Sequence, residues 1–198
     1  MIPSLFTPRL ELRPATVAAL RADLEGHRAL AAALGAAVPA SWPPEFYDAD
    51  AVRWTIDHLG DRADGDPWGA YYVLLGDDGA GATLAGMGGF KGEPDDERGE
   101  VELGYGVATE YRRRRIATEA VGGLTAFAFA DARVRTVVAH TLTELAGSIG
   151  VLERAGFRFA GAGTDPHAPE GAAVIRYELT RAVYEHRARR PAASPSSA

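Results

Sequence analysis

Between Val101 and Ala120 the hydrophobic repeat changes from every second residue to a helical spacing, and four consecutive arginines stand at the change. Side chains alternate across a strand, so Val101, Leu103, Tyr105 and Val107 share one side and Glu102, Gly104 and Gly106 the other. One side is bulky and apolar. The other is a carboxylate followed by two positions with no side chain. Glycines weaken a strand interior and mark either a bulge or a place where a ligand approaches the backbone. The segment therefore reads in two ways: a bulged strand with a solvated glutamate, or a floor for an extended ligand with Glu102 at its reactive end.

Arg112, Arg113, Arg114 and Arg115 lead into Ile116, Ala117 and Thr118, the head of an amphipathic helix predicted over 116–130. A helix N-terminus has unpaired N–H groups and a partial positive charge, and nearby arginines add charge-assisted bonds to phosphate oxygens. An arginine run is otherwise a solvated surface. Its place between a strand and a helix is a phosphate-site geometry, one that a coenzyme A pyrophosphate and 3′-phosphate would fit. Neither a GxxxxGK(S/T) loop nor a GxGxxG dinucleotide loop occurs, so ATP and NAD lack their usual cradles.

The rest of the chain supplies the frame. Leu10 and Leu12 alternate with charges in a first strand, and a helix follows from about 17 to 34 with a break at Gly26. Pro39 to Pro44 stops it, and Asp48 or Asp50 caps a helix with Val52, Ile56 and Leu59 on one face. Strands are predicted at 71–75, 83–90, 100–107, 134–140 and 174–179, with a turn at 77–81 and a helix at 146–155. Antiparallel strands first, then strand–helix–strand, give an α/β fold: a mixed, mainly antiparallel central sheet flanked by helices. Residues 1–190 read as one domain, and the Pro, Ala and Ser of 191–198 as a disordered tail.

Composition narrows the function. Asp and Glu outnumber Lys and Arg, 27 to 21, for a net charge of −6, which argues against nucleic acid or an anionic membrane as the main partner. The absence of cysteine removes disulfides, cysteine-bound zinc and a cysteine acyl intermediate. No secretory leader and no membrane-length apolar run are legible, so the chain reads as cytoplasmic. Five scattered histidines without HExxH favour structural or surface roles over metal ligation, and no metal is expected. Trp42, Phe46, Tyr47, Trp54 and Trp68 read as core aromatics before acceptor-pocket lining. Arg187 to Arg190 read as a solvated chain end.

The segment ELGYGVATEYRRRRIATEA, Glu102 to Ala120, resembles the central motif of the GCN5-related N-acetyltransferases (GNAT), whose pyrophosphate loop runs Q/R-x-x-G-x-G/A. Arg112 fills the first place and Ala117 the last; Arg115 stands where the family has glycine. His140 to Glu144 and Ser148 to Phe157 resemble the downstream strand and helix of the branch that acts on ribosomal-protein N-termini and small amines. There Leu145 replaces an asparagine, Gly150 a polar residue, and Leu152 stands where other branches carry a tyrosine acid.

The resemblance implies acetyl-CoA as donor, held by Val107, Arg112 to Arg115, Ile116, Ala117 and Thr118, and a primary amine as acceptor. The acceptor is a protein N-terminus or a small molecule; a homodimer stays open. It implies direct attack in a ternary complex, with Glu102 as general base, directly or through water, and Ser148 as partner of the leaving thiolate. A backbone N–H near 106–108 would polarise the thioester carbonyl. Ser148 also reads as an ordinary helix serine. A domain that keeps the fold and binds acyl-CoA without turnover is the alternative.

Overall fold

The computed structural model describes residues 2–62, 64–76, 81–165 and 168–189. The tail 191–198, Arg190, His167 and most of the predicted 77–81 turn lie outside them. Alternation at the N-terminus gives a strand pair, β1 (Leu5–Phe6) and β2 (Leu10–Pro14), in which Leu10 and Leu12 are buried and the charges between them are not. Gly26, at φ 115°, separates α1 (Val17–Glu25), capped by the Thr16 hydroxyl, from α2 (His27–Leu34). Asp48 caps α3 (Ala49–Leu59) by accepting from the Asp50 and Ala51 N–H groups.

The meander expected after α3 is present as β3 (Ala70–Leu75), β4 (Thr83–Phe90) and β5 (Glu100–Val107). A single 3-10 turn, Thr109–Tyr111, leads to the arginines and to α4 (Ile116–Ala130). Then come β6 (Thr136–Leu142), α5 (Ala146–Ala155), β7 (Arg158–Ala162), β8 (Val174–Thr180) and α6 (Arg181–Arg189). The sequence reading lacks β1, β7 and α6. β1 is only two residues, β7 is largely exposed, and α6 is mostly polar, so none carries a hydrophobic period. Of the arginine patch, Arg187 and Arg189 belong to the end of α6, where Arg187 donates to the Arg154 carbonyl at 3.2 Å.

Eight strands form one sheet in the order β1-β2-β3-β4-β5-β6-β8-β7, antiparallel throughout except between β5 and β6. Apolar residues cover both faces. On one, Val121, Leu124 and Ala128 of α4 pack with Leu12, Val73, Ala85, Leu103 and Val137, and Leu152 of α5 joins them. Leu124 is fully buried, so Leu124→Ala would cost about 2–5 kcal/mol and loosen the helix whose N-terminus shapes the site. On the other face α1, α2 and α3 set Leu20, Leu30, Val52 and Leu59 against Tyr72, Leu74, Leu84 and Met87.

The parallel junction is short. β5 and β6 are in register only at Glu100–Thr136, Val101–Val137 and Glu102–Val138. Beyond Glu102 the two strands part, while β5 stays paired with β4 through Gly86–Val107 and β6 with β8 through Leu142–Val174. The sheet thus has a wedge-shaped gap at its centre, bordered by the end of β5, the arginine loop and the head of α5.

Candidate active site

A groove of about 800 Å³ runs along the wedge, between the N-terminus of α4 and that of α5. Tyr105, Gly106 and Val107 of β5 form one side and Glu144 to Ser148 the other; Pro44, Glu45 and Phe46 close the rim. The first-turn N–H groups of Ile116, Ala117 and Thr118 have no acceptors inside their own helix, and these residues line the groove. Groups there that bind anions, leading into a gap between unpaired strand segments, fit a long phosphorylated chain ligand.

Of the four arginines, Arg112, Arg113 and Arg115 line the groove; Arg114 does not. Arg114 sets its guanidinium 5.4 Å from the Tyr111 ring centre, and its carbonyl accepts from Arg9. Arg112 ties the loop down, donating to the Val107 carbonyl at 3.3 Å and pairing with Glu45 at 3.2 Å. Arg115 adopts the left-handed backbone, φ 61° and ψ 13°, as the cap of α4, and Arg113 also has φ 61°. This is the turn for which the resembling loop uses glycine: Arg115 keeps the shape and accepts the steric cost of a Cβ there. Arg154 is a further groove cation that the sequence reading missed. It folds back to donate to the Gly150 carbonyl at 2.9 Å, and a Cβ at Gly150 would stand 2.9 Å from its Nη1.

Ser148 lies in the groove, where its Oγ is 3.0 Å from the Tyr105 hydroxyl; that hydroxyl also lies 3.0 Å from the Ser148 carbonyl. Tyr105 is the second missed residue. Burial pushes its hydroxyl up to about 12, against a lowering hydrogen bond with Ser148, so it keeps its proton at neutral pH. Leu152, where other branches place a tyrosine, is fully buried in the core.

Glu102 stands on the opposite face of β5, as the alternation predicts. A Cβ on Gly104 would meet nothing within 4 Å, so the bare floor is open there; one on Gly106 would stand 3.1 Å from Pro44. Glu102 is not a free carboxylate. Its Oε1 lies 2.6 Å from Lys91 Nζ and 3.0 Å from His140 Nδ1, and Lys91 reaches Asp165 at 3.2 Å. Burial works against the Lys91 ammonium, but Glu102 and Asp165 outweigh it and raise its pKa. No spacing in the sequence announces this cluster.

The aromatics divide. Trp42 and Trp68 are buried as expected; Trp54 is 39% exposed and Phe46 59%, the latter at φ 65° on the groove rim. The rim loop is anchored from behind by Asp23, which accepts from Trp42 Nε1 at 2.8 Å, the Tyr72 hydroxyl at 3.1 Å and the Tyr47 hydroxyl at 3.4 Å. Burial raises the Asp23 pKa against those three bonds. Among the described residues no group of three or more His, Cys, Asp or Glu side chains could hold a metal, and no helix is long and apolar enough to cross a membrane.

A sheet parted at the parallel β5–β6 junction, with a helix N-terminus at the mouth of the gap, defines a fold for acyl transfer. The chain belongs to the GNAT acetyltransferases: the family model for the acetyltransferase (GNAT) domain matches residues 9–158. Solved structures agree in fold. A putative GnaT-family acetyltransferase from Bordetella pertussis superposes at TM-score 0.63 with 23% identity, over 89% of this chain and 99% of its own. RimL, a ribosomal L7/L12 alpha-N-protein acetyltransferase in complex with coenzyme A, gives 0.61 and 18%, over 90% and 98%. MccE, a microcin C7 self-immunity acetyltransferase in complex with acetyl-CoA and AMP, gives 0.58 and 13%, over 88% and 93%. Comparison with curated proteins gives no match.

Proposed function

We propose that this acetyltransferase moves an acetyl group from acetyl-CoA to a primary amine by direct attack in a ternary complex. The observation that carries the reading is the groove itself. Phosphate-binding N–H groups and arginines at one end lead through the parted strands to the Tyr105–Ser148 hydroxyl pair. The phosphates lie against Ile116 to Thr118 with Arg112, Arg113 and Arg115, and the thioester lies beside Gly106 and Val107. Tyr105 and Ser148 stabilise the departing thiolate. The amine enters over Gly104, from the face opposite Tyr105, and its proton leaves at the Glu102 end of that floor. With no cysteine in the chain, a thiol-borne acyl intermediate has no place to form.

The acceptor is a protein N-terminus or a small amine; RimL, similar in fold, carries a name that points to the first. Calorimetric titration with acetyl-CoA tests the donor half. Micromolar binding is expected, weakened about 100-fold or more when Arg112 to Arg115 become alanine, since each charge-assisted bond contributes about 1.5–3 kcal/mol. Absence of binding by the parent protein would overturn the reading.

A further inference from the structure

The groups gathered on the acceptor face assign proton transfer more narrowly than the family does. Lys91 is an ammonium with donors only, and it approaches Glu102 Oε1 at 2.6 Å. A carboxylate oxygen bound by an ammonium is well placed to anchor and orient its other neighbours. His140 Nδ1 lies 3.0 Å from the same oxygen. An ionised carboxylate only accepts, so Nδ1 carries its hydrogen, and the lone pair of the neutral imidazole is on Nε2. Among the described residues Nε2 has no hydrogen-bond partner, and the side chain is 12% exposed. The ring is also held in place. A Cβ on Gly163 would stand 2.5 Å from His140 Cδ2 and 3.2 Å from Nε2, so the chain after β7 crosses the imidazole only because residue 163 is glycine.

We propose that His140 Nε2 is the atom that takes the acceptor's proton, and that Glu102 is a positioning residue that fixes the imidazole tautomer and balances its charge. The inference rests on the N-acetyltransfer reading. The ammonium gives one proton to Nε2, and the amine lone pair forms the C–N bond as the thioester C–S bond breaks. The second proton from nitrogen goes to the leaving thiolate by way of the Tyr105 and Ser148 hydroxyls, and the imidazolium later releases the first to water. Charges around the ring come from every neighbouring strand. Glu102 and Glu100 stand on β5, Lys91 after β4, and Asp165 after β7. On β8, Arg176 is paired in register with His140 and bonded to Glu100 at 2.8 Å, and Glu178 lies 3.7 Å from Arg176.

Two measurements test this on the full chain. Nitrogen-15 shifts of His140 at pH 8 should report a protonated Nδ1 and a bare Nε2, and Glu102→Gln should disturb that tautomer; a protonated Nε2 in the parent overturns the proposal. The second is the pH profile of kcat/KM with acetyl-CoA and either spermidine or a hexapeptide with a free N-terminal serine. His140→Asn keeps a donor toward Glu102. It should lower kcat about 100-fold, erase the acidic limb of the profile and leave acetyl-CoA affinity unchanged. Glu102→Gln should lower kcat less and keep that limb. A limb that survives in His140→Asn and vanishes in Glu102→Gln makes Glu102 the base and refutes the assignment. A parent that binds acetyl-CoA yet acetylates neither amine refutes the transfer reading, while the tautomer measurement still judges the histidine.

Discussion

The donor and acceptor sides of β5 are built by different means. The donor side is built mainly from two short segments, Tyr105 to Thr118 and Glu144 to Arg154, and backbone N–H groups at the head of α4 supply much of its chemistry. The acceptor side is assembled from side chains remote in sequence. Glu102 and His140 are 38 residues apart, and Lys91 and Asp165 74. Backbone sites depend on local turn geometry and tolerate exchange of side chains. Side-chain sites depend on the whole fold being right.

That contrast is open to attack at several points. The largest effect is expected from Gly104→Val, which fills open floor without touching the groove. Misplacing the acceptor should lower kcat/KM about 100-fold, with acetyl-CoA affinity unchanged by calorimetry. If donor affinity falls as well, the two sides are not separable. Asp23→Ala comes next. It strands the Trp42 N–H and two tyrosine hydroxyls, at a cost of about 1–3 kcal/mol in thermal or urea unfolding, and by loosening the groove rim it should weaken acetyl-CoA binding as well.

On the donor side Arg115→Gly should shift both quantities in opposite senses. Relieving a left-handed, non-glycine residue should stabilise the fold by about 1 kcal/mol, and loss of a groove cation should weaken acetyl-CoA binding several-fold. Arg114→Ala is the control: its side chain lies outside the groove, and donor affinity should hold.

The smallest effect concerns acid. Burial opposes the charge on Glu119, but bonds from the Thr7 hydroxyl and from Arg9 take its pKa below the ordinary 4.5. A carboxyl lowered in the folded state gives stability that is present above its ordinary value and lost as pH falls through the folded one. Acid unfolding of the parent should therefore be steeper below about pH 4.5 than that of Glu119→Gln, as circular dichroism would read.

Legibility follows the same division. α4 and α5 begin and end where their periodicity predicts, because apolar spacing and flanking loops are local signals. The face of β5 that carries Glu102 follows from alternation alone, and the placing of Arg112, Arg113, Arg115 and the head of α4 beside a groove from the loop's position between strand and helix. Lys91, His140, Tyr105 and Arg154 were invisible because no spacing links them to their partners. A histidine in mid-strand reads as core until the carboxylate beside it is known. Phe46 and Trp54 escaped for a related reason: an aromatic's type does not say which side of a loop it faces.

The three-residue seam between β5 and β6 has a mechanical consequence. The sheet is two stiff plates, β1–β5 and β6–β8, joined at the apex of a wedge. Glu102 belongs to one plate and His140 to the other, and they meet beside the apex, where a change of wedge angle scarcely alters their separation. Farther along the opening Tyr105 belongs to β5 and Ser148 to α5, the helix that follows β6 and leans on α4, so their hydrogen bond ties that helix to the first plate. A chain ligand threading the gap would thus lie between a closed seam at Glu102 and His140 and a hydroxyl tie at Tyr105 and Ser148.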